Sequence, residues 1–344
     1  MPLLTSLRSH SIAGLFCLTN FAAHAAPPLP ALNVDTTNIT VSGLSSGAAM
    51  SVTLGYAYSA TFKGVGAFAG TPYLCQYHHA HAACMYNNII LPTMMATMQT
   101  TINNWSGGAI DNKANVASQQ VYLFTGSKDA TVGFNPMFAL QEQYAYNGVA
   151  SVNLVLAANT AHVFPTDFAA PGNNPCNTSS SPFISNCSYD GAKAVLSQFY
   201  GTLQPRNNAP AEVNYREFNQ REFTNNLGMA DSGWVYVPAS CAADAKCKLH
   251  VAMHGCTQNY ASIGDKFLKN TGYTRWADTN NIIVLFPQVR ADPNWYATPA
   301  DGLQSNAGAC WDTVGLYGFN YAQKSGVQLA AIKAMVDRLS AGSH

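Results

Sequence analysis

Charge is what this chain has least of. Asp, Glu, Lys and Arg make up 10% of its 344 residues, where about 25% is usual, and 17 basic residues balance 17 acidic ones. A distribution so thin and even gives nucleic acid or an anionic membrane no electrostatic footing, so neither is expected as a partner. Beyond the N-terminal region no run reaches roughly 18 uninterrupted apolar residues, which excludes a conventional membrane-spanning helix. No paired C-x-x-C spacing occurs, which argues against a structural zinc site. Neither an internal repeat nor a Ser/Thr-rich tail leading to a second module is found.

What is present suits a large core. Hydrophobic residues make up 48% of the chain, enough for one α/β catalytic domain of this length. A surface furnished with Tyr, Asn, Ser and Thr in place of charge suits contact with an insoluble, uncharged material, although drift in surface composition gives the same picture. At the N-terminus Arg8 and His10 precede an apolar stretch from Ile12 to Ala23 and the small-x-small site Ala23-His24-Ala25. Residues 1–25 therefore read as a signal peptide and 26–344 as the mature, exported domain.

Cys17 lies within that leader, leaving Cys75, Cys84, Cys176, Cys187, Cys241, Cys247, Cys256 and Cys310. An even number in an exported chain implies disulfides. The close pairs Cys75/Cys84, Cys176/Cys187 and Cys241/Cys247 leave Cys256 to Cys310.

Short apolar, β-branched runs alternate with helical stretches, the pattern of a mostly parallel sheet covered on both faces. Strands are predicted at 39–42, 65–69, 121–125, 152–157, 215–218, 234–238, 249–253 and 282–287. Helices are predicted at 46–58, 136–146, 190–200, 260–270 and 326–339. The stretch 204–212, with two prolines and paired asparagines, reads as a linker between two halves of one sheet.

Gly43-Leu44-Ser45-Ser46-Gly47 is a G-x-S-x-G box directly after a predicted strand and before a predicted helix. That context marks Ser45 as a nucleophile on a strand-to-helix turn, with the N–H of Ser46 as an oxyanion donor. Ser46 competes for the role, but the glycines centre on Ser45. A serine hydroxyl needs a base, and the base needs a carboxylate to fix its tautomer. Asp129 follows the strand at 121–125 and His162 the strand at 152–157, giving the order Ser, Asp, His of α/β hydrolases. The competing readings are a turn carboxylate capping the next helix and a hydrogen-bonded loop histidine. His78, His79 and His81 sit inside the Cys75/Cys84 loop without a carboxylate, so a metal site there is not expected. His250, within a strand, reads as structural.

The run Met253-His254-Gly255-Cys256 ends a strand in a His-Gly turn. In α/β hydrolases such a turn supplies the second oxyanion N–H and precedes the nucleophile, whereas here it follows the whole triad. Moving the strands from Tyr215 onward in front of Ile39 restores the usual order, so a circular permutation is predicted, with the N–H of Cys256 facing the oxyanion. Termini that lie close together make this rearrangement tolerable.

Six segments together resemble the secreted poly(3-hydroxybutyrate) depolymerases of the short, single-domain, circularly permuted kind. They are Val41–Gly47, Thr125–Gly133, Ala161–Thr166, Cys187–Ala192, Met253–Gln258 and Asn306–Asp312. The resemblance implies a Ser45–His162–Asp129 triad and an oxyanion hole from the N–H groups of Ser46 and Cys256. It also implies that Trp311 lines the crevice for a hydroxybutyrate unit. Where the family often continues Trp-Asp-Trp, this chain has Trp311-Asp312-Thr313, which puts the size of an apolar subsite in question. The expected activity is cofactor-free ester hydrolysis by a monomer acting on solid or oligomeric polyester. The alternatives are a carboxylesterase for feruloyl, acetyl or small soluble esters and a non-catalytic polymer-binding protein.

Overall fold

The computed structural model describes residues 26–150 and 152–342; the leader read at 1–25 lies outside them. All eight predicted strands form, and all join one sheet. They are β1 (Val34–Leu44), β2 (Phe62–Phe68), β3 (Gln120–Gly126), β4 (Val152–Ala157), β5 (Tyr215–Asn219), β6 (Ser232–Tyr236), β7 (Cys247–Met253) and β8 (Ile282–Phe286). Their order across the sheet is β4-β3-β2-β1-β7-β8-β6-β5. Pairings from β4 through β8 are parallel, and β6 and β5 complete the edge as an antiparallel hairpin.

Side chains alternate between the two faces of each strand, and both faces are covered. On β3, Val121 and Leu123 face one core while Tyr122 and Phe124 face the other. The first core is closed by α1 (Ser46–Ala57), α2 (Pro92–Trp105), α3 (Phe134–Tyr146) and α5 (Val327–Ser340). The second is closed by α4 (Gly191–Tyr200) with Phe267, Leu268 and Tyr273.

Counted from β5 as the first strand, the order across the sheet becomes 1-2-4-3-5-6-7-8, with the nucleophile strand fifth. This is the permuted α/β-hydrolase arrangement that the position of the His-Gly turn implied. The joint is visible too, because the N–H of Leu32 donates to Leu339 O at 2.8 Å, so the two ends of the described residues lie together. The linker at 204–212 lies against the sheet's other half, with Asn207 N–H donating to Arg275 O.

The differences are local. The helix predicted over 260–270 is broken by Gly264, at φ 64°, into Tyr260–Ile263 and Lys266–Asn270. Helix α2, the hairpin Asp292–Thr298/Gly302–Asn306 and a small sheet of Phe164–Thr166, Asn174–Pro175 and Ile184–Asn186 were not expected. All four cysteine pairs form disulfides as predicted from their spacing. Among the described residues no helix is long and apolar enough to cross a membrane.

Candidate active site

β1 runs down the middle of the sheet, between β2 and β7, so whatever follows its last residue stands above the sheet's centre. Ser45 follows it, at φ 56° and ψ −121°, a conformation that a non-glycine residue adopts at a cost of order 1–3 kcal/mol. The flanking glycines explain how so tight a turn is built. A Cβ on Gly43 meets Met253 O at 2.5 Å and one on Gly47 meets His254 O at 2.4 Å, so only glycine lets the turn press against the end of β7.

Asp129 and His162 stand on the loops after β3 and β4, and those loops are stitched together. Lys128 N–H donates to Thr160 O at 2.9 Å, and Ser127 N–H donates to Ala157 O at 2.8 Å. Gly126 allows the contact, since a Cβ there falls 2.1 Å from Thr160 O. On the far side, Ala161 N–H donates to Cys176 O, which the Cys176–Cys187 disulfide anchors.

The result is a buried pair, with His162 Nδ1 2.9 Å from Asp129 Oδ2. The other carboxylate oxygen accepts from the N–H groups of Thr131 and Val132, each at 2.9 Å. Burial works to raise the Asp129 pKa. The bond and charge of His162 and the two N–H groups outweigh it, and the pKa lies below the usual carboxylate value. An ionised carboxylate only accepts, so the proton sits on Nδ1 and Nε2 is left as a base.

Ser45, Ser46, His162 and Cys256 line one cavity of about 370 Å³. Its walls are largely apolar, with Leu44, Ala69, Met85, Val132 and Phe183, and no Asp, Glu, Lys or Arg lines it. Among the described residues the backbone N–H groups of Ser46 and Cys256 have no acceptor, and both residues line the cavity that holds the serine.

The turn carrying Cys256 is fixed from several directions. Gly255 N–H donates to Gln258 Oε1 at 2.7 Å, and Gln258 Nε2 donates to Pro182 O at 2.7 Å, bridging the turn to the segment that carries Phe183. Thr257 N–H donates to Gly308 O, and the Cys256–Cys310 disulfide joins the same two loops. His254 is buried, with Nδ1 at 2.7 Å from Gly255 O; burial pushes its pKa down to about 4, so the turn stays uncharged. Gln258 lies in a segment singled out in the sequence, yet its bridging role became visible only with the Pro182 carbonyl in place.

One placement needs correction. Trp311 does not line this cavity: it is 1% exposed, with its indole N–H bonded to His254 O at 2.9 Å and its ring packed on the His254 ring. It supports the turn from behind. The residue two positions on, Thr313, reaches the cavity. Asp312 sets that spacing, because its buried carboxylate accepts from the N–H groups of Val314, Gly315, Leu316 and Tyr317 and curls the chain after Trp311. Of the three loop histidines, His78 bonds Thr101 at 2.8 Å, and His81 lines the cavity with its backbone N–H held by Asp301. His250 is buried between Thr40 and Ser42, in the structural role expected of it.

No family model matches the chain. It is 45% identical over 321 residues to a polyhydroxybutyrate depolymerase from Talaromyces funiculosus, covering 92% of this chain and 94% of that one. It is 46% identical over 332 residues to a poly(3-hydroxybutyrate) depolymerase from Delftia acidovorans, of which it spans 63%. Two solved structures superpose with a TM-score of 0.87 at 44% identity, covering 92% of this chain and all of theirs. One is a PHB depolymerase from Penicillium funiculosum, the other a Ser→Ala variant of a PHB depolymerase complexed with an R3HB trimer. With such identity over nearly its full length, the chain belongs to the poly(3-hydroxybutyrate) depolymerase family.

Proposed function

We propose that this protein is an extracellular serine esterase that hydrolyses poly(3-hydroxybutyrate) and its oligomers. The observation that carries the reading is the strained Ser45 sharing an uncharged, apolar cavity with a buried His162–Asp129 pair. The family's named substrate is a chain of esters and methyl groups, and such a wall suits it.

Ser45 Oγ attacks the ester carbonyl while His162 Nε2 takes its proton, and Asp129 stabilises the imidazolium that forms. The N–H groups of Ser46 and Cys256 hold the oxyanion, a contribution worth about 3 kcal/mol per donor in comparable sites. His162 then gives that proton to the departing alkoxide oxygen, releasing the alcohol and leaving an acyl-enzyme on Ser45. Water repeats the sequence, releasing the acid and restoring Ser45. Export is supported by four disulfides, which persist in an oxidising compartment. The catalytic unit spans residues 26–344 and works as a monomer.

The test is a competition between substrates. Hydrolysis of poly(3-hydroxybutyrate) particles and hydroxybutyrate oligomers is expected, with little turnover of feruloyl or acetyl esters of sugars. The reverse pattern would return the chain to the general carboxylesterases.

A further inference from the structure

Beside the cavity of Ser45 lies a second one, of about 330 Å³, that the chemistry above does not use. The two share His81, Cys310 and Thr313 in their walls, so they are neighbouring chambers divided by those residues. The rest of the second chamber is built from Ala82, Trp311, Val314 and Leu316, with Asp301 and residues 304–306 of the hairpin.

The divider is fixed on two of its sides. Cys310 is held by its disulfide to Cys256, and His81 belongs to the loop closed by Cys75–Cys84. The His81 N–H also donates to Asp301 Oδ2 at 2.8 Å, which ties that loop to the turn of the hairpin. Neither residue is free to withdraw. Thr313 completes the divider, on the stretch that the Asp312 carboxylate curls into place. The width of the passage therefore follows from the size of the side chain at 313.

The second chamber has polar residues in its wall, but most of their bonding capacity is spent within the protein. Asn306 Oδ1 accepts from Cys310 N–H at 2.7 Å, and its amide donates to Cys310 O at 2.9 Å and to Tyr317 Oη at 3.3 Å. Gln304 donates to Asp301 O at 3.2 Å, and one Asp301 oxygen is taken by His81. Asp301 and Ser305 are only part-buried, whereas Trp311 and Leu316 are buried. What remains for a guest in the depth of the chamber is apolar.

We infer that the second cavity takes the alkyl side chain of the hydroxy acid, with Thr313 as the specificity-determining residue at its entrance. The enzyme then hydrolyses esters of 3-hydroxy acids bearing ethyl and propyl branches as well as methyl. The inference rests on the polyester reading above, which puts a hydroxyalkanoate chain at Ser45. A methyl branch is accommodated without leaving the first cavity. Each further methylene that passes Thr313 exchanges water for Trp311, Val314 and Leu316. A charged or strongly polar branch loses its hydration there and finds the Asn306 and Gln304 amides already bonded. The next unit of the main chain would bring an ester carbonyl to those same engaged amides.

The test compares two soluble substrates, the methyl-ester trimers of 3-hydroxyhexanoate and of 3-hydroxybutyrate. The parent is expected to cleave both with kcat/KM values of the same order. Thr313→Trp narrows the passage and is expected to lower the hydroxyhexanoate-to-hydroxybutyrate ratio of kcat/KM roughly tenfold or more, the discrimination that methylenes in an apolar pocket give. Ala82→Phe, at an exposed position that lines the second cavity and not the first, should lower the ratio in the same direction. Both substrates meet the same enzyme molecules, so the ratio does not depend on the fraction of a variant that folds. The inference is overturned if the parent rejects the hydroxyhexanoate trimer, or if both variants keep the parent's ratio. It is overturned as well if Thr313→Trp slows the two trimers alike, which would put a unit of the main chain in the second cavity. Failure of the parent on both trimers, with p-nitrophenyl butyrate still cleaved, would instead overturn the polyester reading.

Discussion

His162 Nδ1 stands 2.9 Å from an Asp129 oxygen, and the carboxylate's other oxygen is held by two backbone N–H groups, so no solvent is needed to satisfy it. Replacing Asp129 by Asn turns an acceptor into a potential donor at the position facing Nδ1. The imidazole then loses its tautomer lock, and kcat on a soluble ester is expected to drop on the order of 10⁴-fold with KM nearly unchanged.

The same carboxylate makes a prediction about acid. Its pKa is lowered in the folded protein from a reference value of 3.8, so its stabilising contribution is fully present above that value. It is lost as the pH falls through the lowered folded value. The difference in Tm between the parent and Asp129→Asn should be flat from neutral pH down to about pH 5 and then close. A difference that grows toward low pH would contradict the assigned direction.

At Gly47 even a methyl group has nowhere to go, with His254 O and Met253 O both 2.4 Å from its place. Both are backbone atoms, so relief requires the turn to move away from β7. Gly47→Ala is expected to cost about 1–3 kcal/mol or more in denaturant unfolding, and to lose esterase activity in whatever fraction folds.

The Cys256–Cys310 bridge spans 54 residues, which corresponds to about 4 kcal/mol of lost chain entropy in the unfolded state. It also holds the turn bearing the Cys256 N–H. Cys256→Ser with Cys310→Ser should therefore lower both Tm and kcat. Cys241→Ser with Cys247→Ser, remote from the cavity, should lower Tm and leave kcat alone.

Trp311 and Thr313 separate support from substrate contact. Trp311→Phe removes the bond to His254 O from a buried site, and about 1–3 kcal/mol of stability is expected to go with it, while preference among oligomer lengths stays unchanged. Thr313→Trp fills part of the cavity and should raise KM for hydroxybutyrate oligomers more than for a small acetate ester. The opposite assignment of effects would restore Trp311 to the crevice wall.

Much of this was legible in the sequence because periodicity and spacing report local geometry. The central strands stood out because a strand buried on both faces is a largely apolar run, and Val41 to Leu44 ends in a box that only a sharp turn accommodates. Helix α2 escaped notice since its threonine-rich solvent side carries no charge to contrast with its buried Met98 and Ile102. Trp311 was misplaced for a different reason. A tryptophan next to a cysteine says nothing of which way the chain curls, and that is set by Asp312 gathering four N–H groups from the residues beyond. Gln258 acts through the Pro182 carbonyl, 76 residues away, a distance over which no pattern carries information.

The most direct measurement is release of soluble hydroxybutyrate acids from a poly(3-hydroxybutyrate) suspension by the protein and by Ser45→Ala. Release that disappears in the variant, while its Tm and granule adsorption persist, is the result predicted here. Release by both proteins would remove Ser45 from the chemistry, and release by neither, with Ser45-dependent cleavage of p-nitrophenyl butyrate, would contradict the polyester as substrate.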